Sequence, residues 1–283
     1  MVAFLGMGLL GTNFVKAMLK KGVEVQVWNR TPGKAGALAG EGAKAFEQAA
    51  DAVRNADVIH VTLKDDASVN DVLNLAQGGF KPGAIIVDHT TTSVEGSIER
   101  TNLWKERGYT YLHAPVFMGP VNALESTGFM LVSGDQQLIS KLEPQLSAMT
   151  GRLINYGEQP GKAAGMKLVG NLFLVSFTAG IADSLSLASA LNIPSSDVGE
   201  LFDIWNPAMI LQARLKKVAG GKYDNPSWEL SMARKDTQLF MDTASKAGKG
   251  FIAVPAIAKK MDQLIAEGHG NDDWTVLGKD SRM

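Results

Sequence analysis

The 283-residue chain contains no cysteine. Disulfides, thiolate nucleophiles and cysteine-ligated metals are therefore excluded, and a reducing cytoplasmic compartment is expected. An excess of charge of one sign is also missing, because 28 basic residues face 29 acidic ones. Nucleic acid and anionic membrane both demand a concentrated positive surface, so neither is expected as a partner. Histidine is scarce: His60, His89, His113 and His269 are the four present, and none has another at the i,i+3 or i,i+4 spacing. No metal site is expected. No basic segment precedes an apolar one at the start, so no secretory leader is expected. The longest mostly apolar stretch, Leu172–Leu191, is interrupted by Ser176, Thr178, Asp183, Ser184 and Ser186. A membrane span is not expected there.

What is present is an ordinary globular composition, 45% apolar and 20% charged, with a pattern that changes along the chain. Short apolar runs at Val2–Leu5, Glu24–Trp28, Asp57–Leu63, Ala84–Asp88, Thr110–His113, Phe129–Ser133 and Arg152–Tyr156 read as strands. Segments with helical spacing separate them, among them Leu9–Lys21, Ala67–Leu75 and Val94–Arg107. Repeated β-α-β order implies a doubly wound parallel sheet with helices on both faces, a Rossmann-type α/β fold. The last two strands follow shorter links and are expected antiparallel at an edge.

After the cluster Gly157-Glu158-Gln159-Pro160-Gly161 little reads as strand. Gly161–Leu191 reads as one long helix, followed by helical segments near Ser195–Trp205, Ala208–Val218, Glu229–Ala247 and Ile252–Glu267. The expected division is an α/β domain over residues 1–159 and an all-helical domain over 160–283.

Gly6-Met7-Gly8-Leu9-Leu10-Gly11 fits G-x-G-x-x-G, between an apolar strand and a helix. In that context Gly6 permits a tight turn, Gly8 lets a pyrophosphate approach the backbone, and Gly11 lets helix pack on strand. The helix N-terminus adds N–H donors and partial positive charge, so a dinucleotide cofactor is expected. The second strand ends Val27-Trp28-Asn29-Arg30-Thr31, without the acid that would receive a free ribose 2′-hydroxyl. Arg30 offers a planar cationic fork to a 2′-phosphate, and Asn29 and Thr31 add neutral donors. NADP is the expected cofactor.

A further pair stands out in the long helix. Lys167 and Asn171 are spaced i,i+4 and share one face among Ala, Gly, Leu and Val. Spacing alone leaves two readings: an exposed polar stripe, or a buried ammonium with a chemical role.

Several segments together resemble the β-hydroxyacid dehydrogenase family, which includes 3-hydroxyisobutyrate dehydrogenases and glyoxylate/succinic semialdehyde reductases. FLGMGLLG matches its opening, WNRT is similar to its NADP-using reductases, and GKAAGMKLVGN at 161–171 matches G-x-x-G-x-x-K-x-x-x-N. VDHTTT at 87–92, HAPVFMGP at 113–120 and the pair Lys235-Asp236 stand where the family has its remaining motifs. The resemblance implies a small aldehyde, keto or β-hydroxy acid substrate, with Lys167 as general acid/base assisted by Asn171. It implies that Leu63, Lys64, Thr91 and Lys235 touch the cofactor, and that Phe117, Met118, Gly119 and Asp236 touch the substrate. A homodimer or higher homo-oligomer is implied as well. Alternatives are a scaffold that binds NADP without catalysis, and an imine reductase, although those relatives usually lack a lysine at position 167. The chain also departs from the family. Phe117-Met118 replace a Ser-Gly pair and His113 replaces an aspartate, so the expected pocket is bulkier and more apolar.

Overall fold

The computed structural model describes residues 1–281. Its main sheet has six parallel strands: β1 (Val2–Leu5), β2 (Val25–Trp28), β3 (Lys44–Ala45), β4 (Val58–Val61), β5 (Ile85–Asp88) and β6 (Thr110–His113). They lie in the order β3-β2-β1-β4-β5-β6. The chain therefore reverses direction across the sheet after β3, and the crevice above β1 and β4 is where such sheets take ligands. Alternation along the strands feeds two cores. Phe4, Val58, Ile85 and Val87 face one layer, whereas Ala3, Leu5, Ile59 and Ile86 face the other. Covering helices are α1 (Leu9–Lys20), α2 (Pro32–Ala39), α3 (Ala49–Ala52), α4 (Asp66–Ala76) and α5 (Val94–Glu106). Two are capped by their own sequence: Asp65 accepts the Ser68 N–H at the start of α4, and Ser93 accepts the Gly96 N–H at the start of α5.

One expectation is corrected here. The last two strands do not extend the main sheet. A short β7 (Val116–Phe117), not foreseen from the sequence, pairs antiparallel with β8 (Phe129–Val132), which pairs parallel with β9 (Arg152–Asn155). Pro115, just beyond β6, has no N–H to continue the ladder, so the chain leaves the main sheet there. Two helices, α6 (Pro120–Glu125) and α7 (Gln136–Ser147), connect this second sheet. The brief β3 was also unforeseen, because Lys-Ala carries little strand signal.

The remaining helices are α8 (Lys162–Ala190), α9 (Ser195–Ile204), α10 (Leu211–Gly220), α11 (Leu230–Lys246) and α12 (Val254–Leu264). Chain contacts divide the molecule into Met1–Asn171 and a second unit from Leu172 onward, so the division falls inside α8. Among the described residues α8 is the one helix long and apolar enough to cross a membrane by length and composition. Its Asp183 nevertheless serves the protein interior, accepting the backbone N–H groups of Ile252, Ala253 and Val254 at the start of α12. The second unit has a small core of Tyr223, Leu230, Ala233, Met261, Leu264 and Val276. Asp273 is buried beside it and accepts from Lys217 Nζ at 2.5 Å and from Ser227 Oγ at 2.8 Å.

Backbone crowding away from the crevice tests the packing of the first unit. A Cβ on Gly79 would lie 1.8 Å from the Ala50 carbonyl oxygen, whereas one on Gly78 would meet nothing within 4 Å. Gly79→Ala is expected to lower the free energy of unfolding by about 1–3 kcal/mol. Gly78→Ala is expected to stay within about 0.5 kcal/mol of wild type. Urea denaturation of the two variants checks this pair.

Candidate active site

The glycine turn is built by close backbone contact. Gly6 has φ +101°, and a Cβ there would lie 2.2 Å from the Thr62 carbonyl oxygen. A Cβ on Gly11 would lie 1.9 Å from the Gly6 carbonyl oxygen. Gly8, in contrast, is open on its side-chain side. Helix α1 starts at Leu9 with no capping side chain and no acid in its first turn. Its leading N–H groups are thus left for an anionic ligand. Asn29 holds the turn from β2: its Oδ1 accepts the Met7 N–H at 2.9 Å, while its Nδ2 donates to the Thr31 carbonyl. Its amide is thus committed to protein groups.

Two adjoining clefts open in front of this turn. One, of about 540 Å³, is lined by Gly6, Gly8, Leu9, Leu10, Lys64 and Met118 among others. The other, of about 320 Å³, is lined by Asn29, Arg30, Thr31, Leu63 and Lys64. Lys34 reaches both and was not singled out from the sequence. A signal existed: it lies in the first turn of α2, where the helix dipole disfavours a cation unless an anion is bound nearby. Buried Thr62 Oγ1 has no partner within the described residues. A glycine cradle, uncapped N–H groups and the nearby cations Arg30, Lys34 and Lys64 fit a dinucleotide phosphate chain.

A buried network fixes the loops that follow β4 and β5. Arg100 donates to Asp66 Oδ1 at 2.7 Å and to the Tyr111 hydroxyl at 2.9 Å. Tyr111 in turn donates to Asp88 at 2.7 Å, and Asp88 accepts the Thr90 N–H. Thr90 Oγ1 then accepts the Leu63 N–H at 3.0 Å, so the two loops are joined. Burial opposes the charge on Asp66, yet the Ser93 N–H and the Arg100 guanidinium hold its pKa below the usual value. Thr91 is exposed at the loop surface while Thr90 is buried. The sequence hides this network because its members are far apart in the chain.

Beneath α1 lies a second buried chain of neutral groups. His89 Nδ1 faces the Ala114 carbonyl at 2.8 Å and must donate to it. Its Nε2 then accepts from His60 Nδ1 at 2.9 Å, and His60 Nε2 accepts from the Gln145 amide at 2.9 Å. Phe4 and Phe14 flank the two imidazoles, with Phe4–His60 centroids 5.6 Å apart and Phe14–His89 centroids 5.4 Å apart. Burial pushes the pKa of His60 well down, and that of His89 from 6.5 to about 4. His113 is likewise buried and lowered by burial, and its Nε2 faces the Thr90 carbonyl at 2.8 Å.

Lys167 is only 8% exposed, which removes the exposed-stripe reading. Its Nζ donates to Asn171 Oδ1 at 3.0 Å and sits 4.2 Å from the centre of the Phe117 ring. Burial lowers its pKa from the ordinary lysine value. The first turns of α8 are seated by the first unit: Ser133 Oγ accepts the Ala163 N–H, and Gly161 lies against Ile98 and Val94. Gly119 heads α6, where its N–H donates to Asn122 Oδ1. Met118 packs partly on the core and partly lines the larger cleft. Lys235 and Asp236 lie on α11 of the second unit, paired with each other at 2.9 Å.

Residues 1–157 match the NAD binding domain of 6-phosphogluconate dehydrogenase. The chain belongs to that family, in its β-hydroxyacid dehydrogenase branch. It is similar to an uncharacterized oxidoreductase, YfjR, of Bacillus subtilis (strain 168), 25% identical with 98% of each chain covered. It is also similar to the chloroplastic glyoxylate/succinic semialdehyde reductase 2 of Arabidopsis thaliana, 33% identical over 68% of this chain and 54% of that one. Among solved structures, an imine reductase from Myxococcus stipitatus in complex with NADP+ shares the fold. Its TM-score is 0.90 at 21% identity, covering 98% of each chain. This member of the family is an oxidoreductase with an NAD(P)-binding domain.

The histidine pair gives the dehydrogenase-type chain a pH signature. The folded-state pKa of His89 is depressed to about 4 from 6.5. The unfolded chain therefore binds the proton first, and stability falls as pH drops through that window. Between pH 7 and pH 5 the depressed His89 alone is expected to remove about 2 kcal/mol, and His60, shifted in the same direction, adds to the slope. Urea unfolding across that range should show the slope, and His60→Gln, which stays neutral, should make it shallower.

Proposed function

We propose that the protein is an NADP(H)-dependent reductase, or reversible dehydrogenase, for a small aldehyde, ketone or β-hydroxy acid. The single observation carrying this reading is the buried Lys167 ammonium, bonded to Asn171 in the same unit as the glycine turn. Hydride arriving at a carbonyl carbon leaves negative charge on oxygen. An ammonium at that oxygen stabilises the charge and donates a proton, and the neutral amine takes it back in the oxidative direction. The desolvation that lowers the lysine's pKa makes this exchange easier near neutral pH. Bound NADP(H) supplies the hydride. Gly6, Gly8 and Gly11 shape its phosphate cradle, and Leu63, Lys64 and Thr91 border its nicotinamide half. Arg30, with Lys34 behind it, receives the 2′-phosphate. In the same reading Lys235 is assigned to the cofactor and Asp236 to the substrate.

Phe117 and Met118, where relatives carry Ser-Gly, are read as favouring a longer, more apolar substrate than glyoxylate. The supporting observation is Met118 in the wall of the cleft before the glycine turn. Each methylene buried against them is worth about 0.8 kcal/mol. The protein is further read as a cytoplasmic homodimer built on α8. That helix exposes Leu172, Phe173, Leu174, Val175 and Phe177, more apolar surface than a monomer commonly leaves wet.

Lys167→Met should reduce kcat by about 10²–10⁴-fold while leaving NADPH affinity intact. Retention of more than a tenth of wild-type turnover would overturn the role given to Lys167. Arg30→Ala should weaken NADPH binding by about tenfold to a hundredfold and leave NADH nearly unchanged. Titration of both cofactors by fluorescence decides it, and equal losses would displace the 2′-phosphate from Arg30. A homologous aldehyde series, with and without a terminal carboxylate, tests the pocket. Glyoxylate as best substrate, with its rank unmoved by Phe117→Ser plus Met118→Gly, would refute the pocket reading.

A further inference from the structure

A phenyl ring stands at position 117, the last residue of β7. The ring is committed to a specific seat. A Cβ on Gly170 would lie 2.3 Å from Phe117 Cζ and 2.8 Å from Cε1, so the absence of a side chain at 170 is what admits the ring. Gly170 sits in the interior of α8, where glycine is otherwise unfavourable. On the ring's face lies Lys167 Nζ, 4.2 Å from the centroid and one helical turn from Asn171. Among the described residues Lys167 forms no ion pair; its partners are a neutral amide oxygen and this ring. A desolvated ammonium over an aromatic face is attracted by the ring quadrupole, and more strongly than at an exposed site.

We propose that Phe117 is a positioning residue for Lys167, with Gly170 as the notch that seats its ring and the ring face as the surface that aims the ammonium. Asn171 fixes the ammonium from along the helix, and Phe117 fixes it from the side, on β7 of the second sheet. The side chain is thereby held in one rotamer before any substrate arrives, although lysine has four flexible bonds to restrain. The ring at 117 and the glycine at 170 act as one unit, since either alone leaves the ring without a seat or the seat without a ring.

This inference rests on the catalytic reading of Lys167, and two kinds of measurement separate the two. The first is spectroscopic. With 13Cε-labelled lysine, the Lys167 signal, identified by its loss in Lys167→Met, should be shifted upfield by the ring current. Phe117→Leu, which removes the ring, should return it to the envelope of the other lysines. A signal lacking that shift in the wild-type protein would overturn the proposal whatever Lys167→Met does to turnover. The second is kinetic. Phe117→Leu should lower kcat by about tenfold with KM for NADPH unchanged. Gly170→Ala, which expels the ring, should lower kcat to a similar degree. In the Phe117→Leu background Gly170→Ala should cost little more. Full additivity of the two changes would show that they act separately, and the proposal would fail. Were the ring-current shift present while Lys167→Met kept its activity, the contact would stand and the catalytic reading would fall.

Discussion

Main chain presses on main chain at the mouth of the crevice, and that crowding sets the rest of the site. Where Gly6 meets the Thr62 carbonyl and Gly11 meets the Gly6 carbonyl, no room remains for even one carbon. Helix α1 can therefore start only at one height and one angle above β1 and β4. Its direction is then secured from below, where Phe14 packs beside His89 and the paired imidazoles close their hydrogen bonds without carrying charge. Neutral histidines suit this position. A charged pair at 2.9 Å in an apolar layer would pry the helix from the sheet.

Much of this was legible because it depends on local pattern. The parallel strands alternate sides residue by residue, and the glycine turn lies between a strand and a helix as its mechanism requires. What was not legible depends on partners distant in the chain. Nothing near Arg100 announces that it will lie between Asp66 and Tyr111, and nothing near His60 points to Gln145. The second sheet was misplaced for a related reason. Pairing of β8 with β7 and β9, rather than with β6, is decided by where Pro115 turns the chain. Lys34 carries a local signal in the first turn of α2, but its place beside Lys64 in one cleft depends on the fold.

Lys167 shows the limit from the other side. Its spacing to Asn171 was visible, yet burial could not be derived from a helix whose residues look apolar on every face. The structure supplies the missing term, a low exposure with an amide oxygen and an aromatic face as company. Phe117 was recognised as a departure, but the direction of its ring could be read only once Gly170 was seen beneath it.

The glycines of α8 carry a consequence for the order of assembly. Gly165 and Gly170 each cost a helix interior about 0.5–1 kcal/mol relative to alanine, and a helix must already meet a nucleation penalty. The opening turns of α8 are therefore poor at forming by themselves. They are shaped by Ser133, Val94, Ile98 and Phe117, residues that precede them in the chain and belong to the unit ending at Asn171. During synthesis those residues emerge first. The turns that carry Lys167 thus depend on a surface supplied by earlier parts of the chain.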